Sequence, residues 1–268
     1  MLRCRPVDDY NSVIAFLRRD VFSNNCILDA LEHDVPPVPR TVYVAEEAGE
    51  ICGVMSVEDF GQWVVADLRA AGGRAEAVAL LTRQLDPNRT YRFSVGSQYW
   101  DAVRLELAEP HVPSAVLAMT VTQDGWRLVD GPGDVRKLTC ADRALTDAYP
   151  LPAQRHQPTL TQFVEMAALD PDRVVVFGSL LAGEIAAYLE LNLVVDRIWE
   201  VGMIETREQW RGRALAKQLL SEASRELLAE GRSILYQVSG ANVASQRTAC
   251  AVGYRETFRV LAMDGKLK

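Results

Sequence analysis

The segment Thr206-Arg207-Glu208-Gln209-Trp210-Arg211-Gly212-Arg213-Ala214-Leu215-Ala216 joins a β-rich run to the clearest helical pattern in the chain. Small residues at 212 and 214 let the backbone curl tightly and approach a ligand. The helix that follows starts with amide groups that have no partner of their own, at the positive end of its dipole, so a diphosphate is well placed there. Arg211 and Arg213 oppose that dipole, a conflict that a bound anion relieves. The segment therefore reads as an anion cradle suited to a phosphorylated cofactor. Downstream, Asn242-Val243-Ala244-Ser245 opens a short helical stretch with Asn242 as N-cap, and Gly253-Tyr254 closes it.

These residues need strands and helices to hold them. The second half of the chain begins with a strand at Val135 to Thr139 and a polar helical stretch containing Pro150, Pro152 and Pro158. A helix at Leu160 to Leu169 comes next. Val174 to Phe177 and Ile185 to Val195 read as neighbouring strands joined by an Ala182-Gly183 turn, and Ile198 to Thr206 as a third strand. In Arg213 to Glu230 the residues Ala216, Leu219, Leu220, Ala223 and Leu227 form one helical stripe, and Gly231 supplies the stop. A strand at Ile234 to Val238, a helix at Val243 to Val252 and a strand at Tyr254 to Met263 complete a βααβββαβαβ order, which is α+β with one open, twisted sheet.

The first half echoes this order. Arg3 to Val7 predicts a strand and Asn11 to Leu31 a helical stretch. Thr41 to Ala45 and Ile51 to Val57 predict strands, Arg74 to Leu85 a helix, and Tyr91 to Val95 and Ser114 to Val121 strands. Ala48-Gly49-Glu50-Ile51 recurs as Ala182-Gly183-Glu184-Ile185, Gly73-Arg74-Ala75 as Gly212-Arg213-Ala214, and Val116 to Met119 as Val260 to Met263. Their shared order points to a duplicated domain, 1–129 and 134–268, hinged at the turn-forming Asp130-Gly131-Pro132-Gly133-Asp134.

Gln209-Trp210-Arg211-Gly212-Arg213-Ala214, followed by the helix, Asn242 and Gly253-Tyr254, resembles the pyrophosphate-loop signature of the GNAT superfamily of N-acetyltransferases. The resemblance implies two tandem GNAT-like domains, each an open, mostly antiparallel sheet flanked by helices. It implies acetyl-coenzyme A as co-substrate and acetyl transfer to the primary amine of a small molecule or peptide, by direct attack in a ternary complex. The residues it assigns to coenzyme A are Ile204, Glu205, Thr206, Gln209, Arg211, Gly212, Arg213, Ala214, Leu215, Ala216, Asn242 and Ser245. Glu200 alternates with Val201 and Met203 on the strand leading into the loop and falls near the family's catalytic glutamate. It is the first choice of general base, with Glu205 and Glu190 as alternatives; its blander role is a strand carboxylate facing solvent or pairing with Arg197. Backbone amides around Ile204 would meet the developing oxyanion. The family's tyrosine, seven residues after the Asn, is Ala249 here, and neither Ser245, Cys250 nor Tyr254 stands out as a replacement acid. In the first half the corresponding loop is Ala70-Ala71-Gly72-Gly73-Arg74-Ala75, without the leading Gln or the preceding Arg, so that half reads as a degenerate copy. Tyr99 and Trp100 read there as packing residues.

The bulk numbers bound these readings. The chain has 268 residues, 49% hydrophobic and 24% charged, with a formal net charge of -7. That acidic balance disfavours a general attraction to nucleic acid or anionic lipid. The cysteines Cys4, Cys26, Cys52, Cys140 and Cys250, and the histidines His33, His111 and His156, lack metal-site spacing, so no metal is expected. No apolar run approaches the ~20 residues of a membrane span, and the expectation is a soluble, cytoplasmic protein. Two other readings stay open at this point: a non-catalytic acyl-coenzyme-A-binding regulator, because the tyrosine is missing, and transfer from an aminoacyl-tRNA, which the acidic balance and the intact loop oppose.

Overall fold

A computed structural model describes residues 1–33, 38–109, 112–150 and 157–268, so the expectations that rest on Pro152, His111 and His156 lie outside the described residues. The chain forms two compact units, one of Met1–Leu117, Ser239–Ala241 and Phe258–Lys268, the other of Ala118–Val238 and Asn242–Thr257.

The first unit runs β1 (Leu2–Val7), α1 (Asn11–Leu17), α2 (Val21–His33), β2 (Arg40–Glu47), β3 (Glu50–Asp59), β4 (Val64–Ala70), α3 (Ala75–Thr82), β5 (Tyr91–Gly96) and α4 (Trp100–Arg104). Strands β1 to β5 pair in sequence order, antiparallel except for the parallel β4–β5 pair. Strand β4 and helix α4 are absent from the sequence reading. The β4 signal is a short alternation in which Val64, Ala66 and Leu68 are buried and Val65 and Asp67 less so, masked by the polar Asp67 and Arg69. Leu81, Phe93, Val95, Val103 and Tyr99 centre this unit's core, so Tyr99 packs as expected.

Strand β6 (Ser114–Val121) follows, and the second unit continues with β7 (Asp134–Lys137), α5 (Arg143–Asp147), α6 (Leu160–Leu169), β8 (Val174–Leu181), β9 (Glu184–Val195), β10 (Ile198–Thr206), α7 (Leu215–Ala229), β11 (Ser233–Ser239) and α8 (Val243–Val252). The strands stand in the order β11-β10-β9-β8-β7, parallel only between β10 and β11. The α+β expectation holds: mixed sheets flanked by helices. Thr139, expected at the end of a strand, instead caps a 3₁₀ turn through a reciprocal box with Asp142. Thr159 and Gln162 form the same kind of box at the start of α6.

The closing strand, β12 (Arg255–Gly265), pairs antiparallel with β5 from Val260↔Gly96 to Gly265↔Tyr91, so the end of the chain completes the first unit's sheet. Contacts this distant in sequence leave no local signal.

The repeated Ala-Gly pairs adopt the same turn. Ala48 and Gly49 have φ of 53° and 86°, Ala182 and Gly183 54° and 81°, the doubly left-handed geometry of a tight hairpin. Gly253 ends α8 with φ 105°, and a Cβ there would run into the Gly125 carbonyl oxygen. Gly253→Ala is expected to cost at least ~3 kcal/mol, combining the left-handed penalty with displaced backbone, read as a lower denaturation midpoint at unchanged m-value.

Candidate active site

Helix α7 buries Leu215, Leu219, Leu220, Ala223 and Leu227. Ala216, placed on that stripe by its periodicity, is only half-buried and lines a groove instead. The corner before the helix is made by Gly212 at φ 79° and Ala214 at φ 62°. Nothing lies within 4 Å of the position a Gly212 Cβ would take, so the glycine serves the backbone turn and leaves open space on that side. The amides of Gly212, Arg213, Ala214, Leu215 and Ala216 make no hydrogen bond among the described residues. Five unpaired donors at the start of a 15-residue helix fit a diphosphate.

The neighbouring strand supplies a second feature. β10 pairs with β11 only from Ile198↔Ser233 to Glu200↔Leu235, while on its other side it stays paired with β9 as far as Thr206↔Ala187. From Val201 onward, its edge toward β11 is unpaired among the described residues. An extended ligand with amide groups can hydrogen-bond along it.

A groove of about 560 Å³ runs past both features. Of the residues assigned to coenzyme A, Ile204, Glu205, Thr206, Arg211, Gly212, Ala214, Leu215, Ala216, Asn242 and Ser245 line it. Gln209 and Arg213 do not; both are exposed, and the Arg213 guanidinium lies 4.8 Å from the centroid of the Trp210 ring. Trp210, Lys217, Tyr236, Ala244 and Thr248 line the groove and were missed as ligands by sequence reasoning. Lys217 sits in the first turn of α7 and could have been read from its proximity to the loop. Tyr236 could not. Its ring is buried on β11 just past the last paired residue, and its hydroxyl lies 2.7 Å from Ser245 Oγ on α8. Asn242 accepts the Ser245 amide at 3.1 Å, which fixes that end of the helix.

The strict alternation assumed for β10 breaks at Gly202. Val201 pairs with Leu191 and Met203 with Glu190, so Gly202 is an extra residue, a β-bulge. Glu200 stands before it, half-buried, opposite Asn192 and Leu235. Glu190 stands against it: a Cβ at Gly202 would collide with the Glu190 carboxylate. Glu190 is 2% exposed, and burial pushes its pKa up to about 7, moderated by hydrogen bonds from Asn192 and the Met203 amide. A carboxyl poised near neutrality can take a proton at physiological pH. Glu205, the other alternative, is engaged by the Tyr188 hydroxyl across the strand pair. The Tyr149 ring meets Tyr188 edge-on at 5.1 Å and carries Arg207 over its face at 4.8 Å. The Tyr149 hydroxyl is buried without a partner among the described residues. Burial, followed by the nearby Glu205 charge, raises its pKa, so it stays a proton donor.

The mixed sheets flanked by helices, with a parting parallel strand pair ahead of a long helix, are GNAT-like in fold by comparison with known proteins. Residues 141–254 match the sequence model of the acetyltransferase (GNAT) family. A GCN5-related N-acetyltransferase from Sphaerobacter thermophilus superposes with a TM-score of 0.67 at 14% identity, covering 99% of this chain and 95% of its own. A tandem GNAT protein from the clavulanic acid biosynthesis pathway gives 0.61 at 14% identity, covering 99% and 98%. A GNAT-family acetyltransferase from Colwellia psychrerythraea gives 0.63 at 17% identity, covering 98% and 100%. At these identities the likeness is one of fold. No curated protein matches the chain significantly in sequence. Among the described residues, no helix is long and apolar enough to cross a membrane.

Proposed function

We propose that the second unit is an acetyl-coenzyme-A-dependent N-acetyltransferase that acts on the primary amine of a small molecule or peptide by direct attack in a ternary complex. The observation that carries the reading is the row of unpaired amides from Gly212 to Ala216 beside the unpaired edge of β10. The row fits a diphosphate and the edge fits an amide-bearing arm. Acetyl-coenzyme A supplies an acyl group on a good leaving group; the rest is the work of this chain. Arg211, with its Nε held 3.2 Å from the Thr206 carbonyl, adds charge at the loop. The amides around Ile204 donate to negative charge developing on the acyl oxygen.

An amine with a pKa near ~10 arrives mostly protonated at neutral pH, so the site needs a base. Glu190 suits that role better than Glu200 because desolvation has raised its proton affinity and the Gly202 bulge brings it against the strand of the groove. Tyr236 takes the place of the missing tyrosine as proton donor to the departing thiolate: burial keeps its phenol protonated, and Ser245 orients it. Tyr236→Phe is expected to lower kcat by ~10- to 100-fold. It should also raise the pKa of the bound coenzyme A thiol, followed by thiolate absorbance against pH, a shift that a merely packing tyrosine would not produce.

The same reading takes 1–129 as a degenerate copy of 134–268, supported by the matching Ala-Gly turns in the two units. Thiol release from acetyl-coenzyme A across a panel of amines tests the proposal. Turnover with any amine supports it. Tight binding with no turnover across polyamines, amino sugars, amino acids and peptide N-termini overturns it and leaves a binding protein.

A further inference from the structure

The first unit has a parallel strand pair of its own, with α3 between β4 and β5 in the chain as α7 lies between β10 and β11. β4 and β5 pair from Val64↔Tyr91 to Leu68↔Val95 and then part. In this unit side chains bridge the parting. The Tyr99 hydroxyl donates to the Ala70 carbonyl at 2.8 Å. Arg69 Nη1 donates to the Leu68 carbonyl of β4 at 2.9 Å and to the Ser94 carbonyl of β5 at 3.3 Å, while Nε donates to the Ser23 carbonyl at 2.8 Å. Asp67 stands 3.8 Å from Nη2 and supplies the opposite charge. Carbonyls on both strands of the parting therefore already have donors.

The corner before α3 differs from the corner before α7 in the same sense. The Arg74 amide donates to the Ala71 carbonyl at 3.2 Å, Ala75 to Gly73 at 2.9 Å and Ala77 to Arg74 at 3.1 Å. Three amides at the start of this helix are thus spent inside the loop. The Arg74 guanidinium is paired with Glu47. Glu76 puts a carboxylate in the first turn of α3, where it complements the helix dipole and opposes a phosphate; the first turn of α7 has no acidic residue. The cavity left at this parting is about 320 Å³, with Arg69, Ala70 and Tyr99 in its wall, against about 560 Å³ for the groove of the second unit.

We infer that the first unit takes no coenzyme A and stays closed on its own side chains, with Tyr99 and Arg69 holding the strand carbonyls that an amide-bearing arm would meet. An arriving arm would exchange one set of hydrogen bonds for another, which gains little net free energy and leaves the cost of immobilising the arm uncompensated. A diphosphate would meet a corner whose amides are partly used and whose first turn carries a carboxylate. The first unit is then a scaffold that needs no ligand to hold its sheet together. This concerns the first unit alone and stands whether or not the second transfers acetyl groups; that the chain binds coenzyme A at all rests on the function proposed above.

Titration calorimetry and amide hydrogen exchange on the full chain with acetyl-coenzyme A test it. One equivalent is expected, weakened in Gly212→Asp, with new protection over residues 204–216 and none over 68–76 or 94–99. Tyr99→Phe keeps the ring and removes the donor. It should lower Tm by about 2–6 °C and speed exchange over 68–71 by about fivefold in the absence of any ligand. Two equivalents, a single equivalent that Gly212→Asp leaves intact, or protection over 68–76 overturns the inference. So does an unchanged Tm and exchange pattern in Tyr99→Phe, because the hydroxyl would then hold nothing. No binding anywhere, with the Tyr99→Phe effects present, supports the inference and overturns the reading of the second unit, so the two fail separately.

Discussion

Replacing Glu190 by glutamine is expected to lower kcat by ~10²- to 10⁴-fold while leaving the affinity for coenzyme A unchanged, because the carboxylate is assigned to proton transfer and does not line the cofactor groove. In the wild type, kcat/KM for an amine should rise with pH toward a plateau above about 7 as Glu190 loses its proton. The variant should lose that limb of the profile. Stability should move the opposite way. The folded-state pKa of Glu190 lies above its unfolded value of 4.5, so the native state holds a proton that the unfolded chain releases. The benefit is complete below 4.5, is lost as pH rises, and has gone once pH passes about 7. Glu190→Gln removes the cost of burying the charge, and above neutrality it should be more stable than wild type by about 2–3 kcal/mol, with little difference at pH 4. Glu200→Gln is the comparison. If it abolishes turnover and Glu190→Gln does not, Glu200 is the base and the assignment to Glu190 falls.

Gly212→Asp should weaken coenzyme A binding by about 100-fold or more. Aspartate tolerates the left-handed region better than most residues, so the corner at φ 79° is strained but not broken. The carboxylate would sit in the open space beside Gly212, where the diphosphate is proposed to lie, and oppose it in a site of low dielectric. Gly212→Ala adds the strain without the charge and should fall between the two. Titration calorimetry measures all three. Equal affinity in wild type and Gly212→Asp would remove the diphosphate from this corner and with it the reading of the groove.

Much of the scaffold was legible in the sequence because its signals are local. Helices α6 and α8 and strand β10 begin and end where capping residues, apolar periodicity and Gly253 place them. The corner at Gly212 and the turn at Ala182-Gly183 are readable for the same reason: a short stretch of chain dictates its own dihedral angles. Strand β4 escaped because Asp67 and Arg69 interrupt its apolar run, and the purpose of Arg69, which donates to the Ser23 carbonyl, appears only in the fold.

What only the tertiary structure decided is the chemistry of the polar groups. Glu190 is one strand carboxylate among several in the sequence, and its raised proton affinity comes from the desolvation it suffers once β9 and β10 pair around Gly202. Tyr236 gains its place from Ser245, nine residues away on another element, and β12 finds β5 across more than half the chain. Burial, hydrogen bonding and strand partnership depend on neighbours distant along the polypeptide. The order of elements and the shape of the loop were therefore written locally, while the residues that can act on a proton or an anion were set by packing.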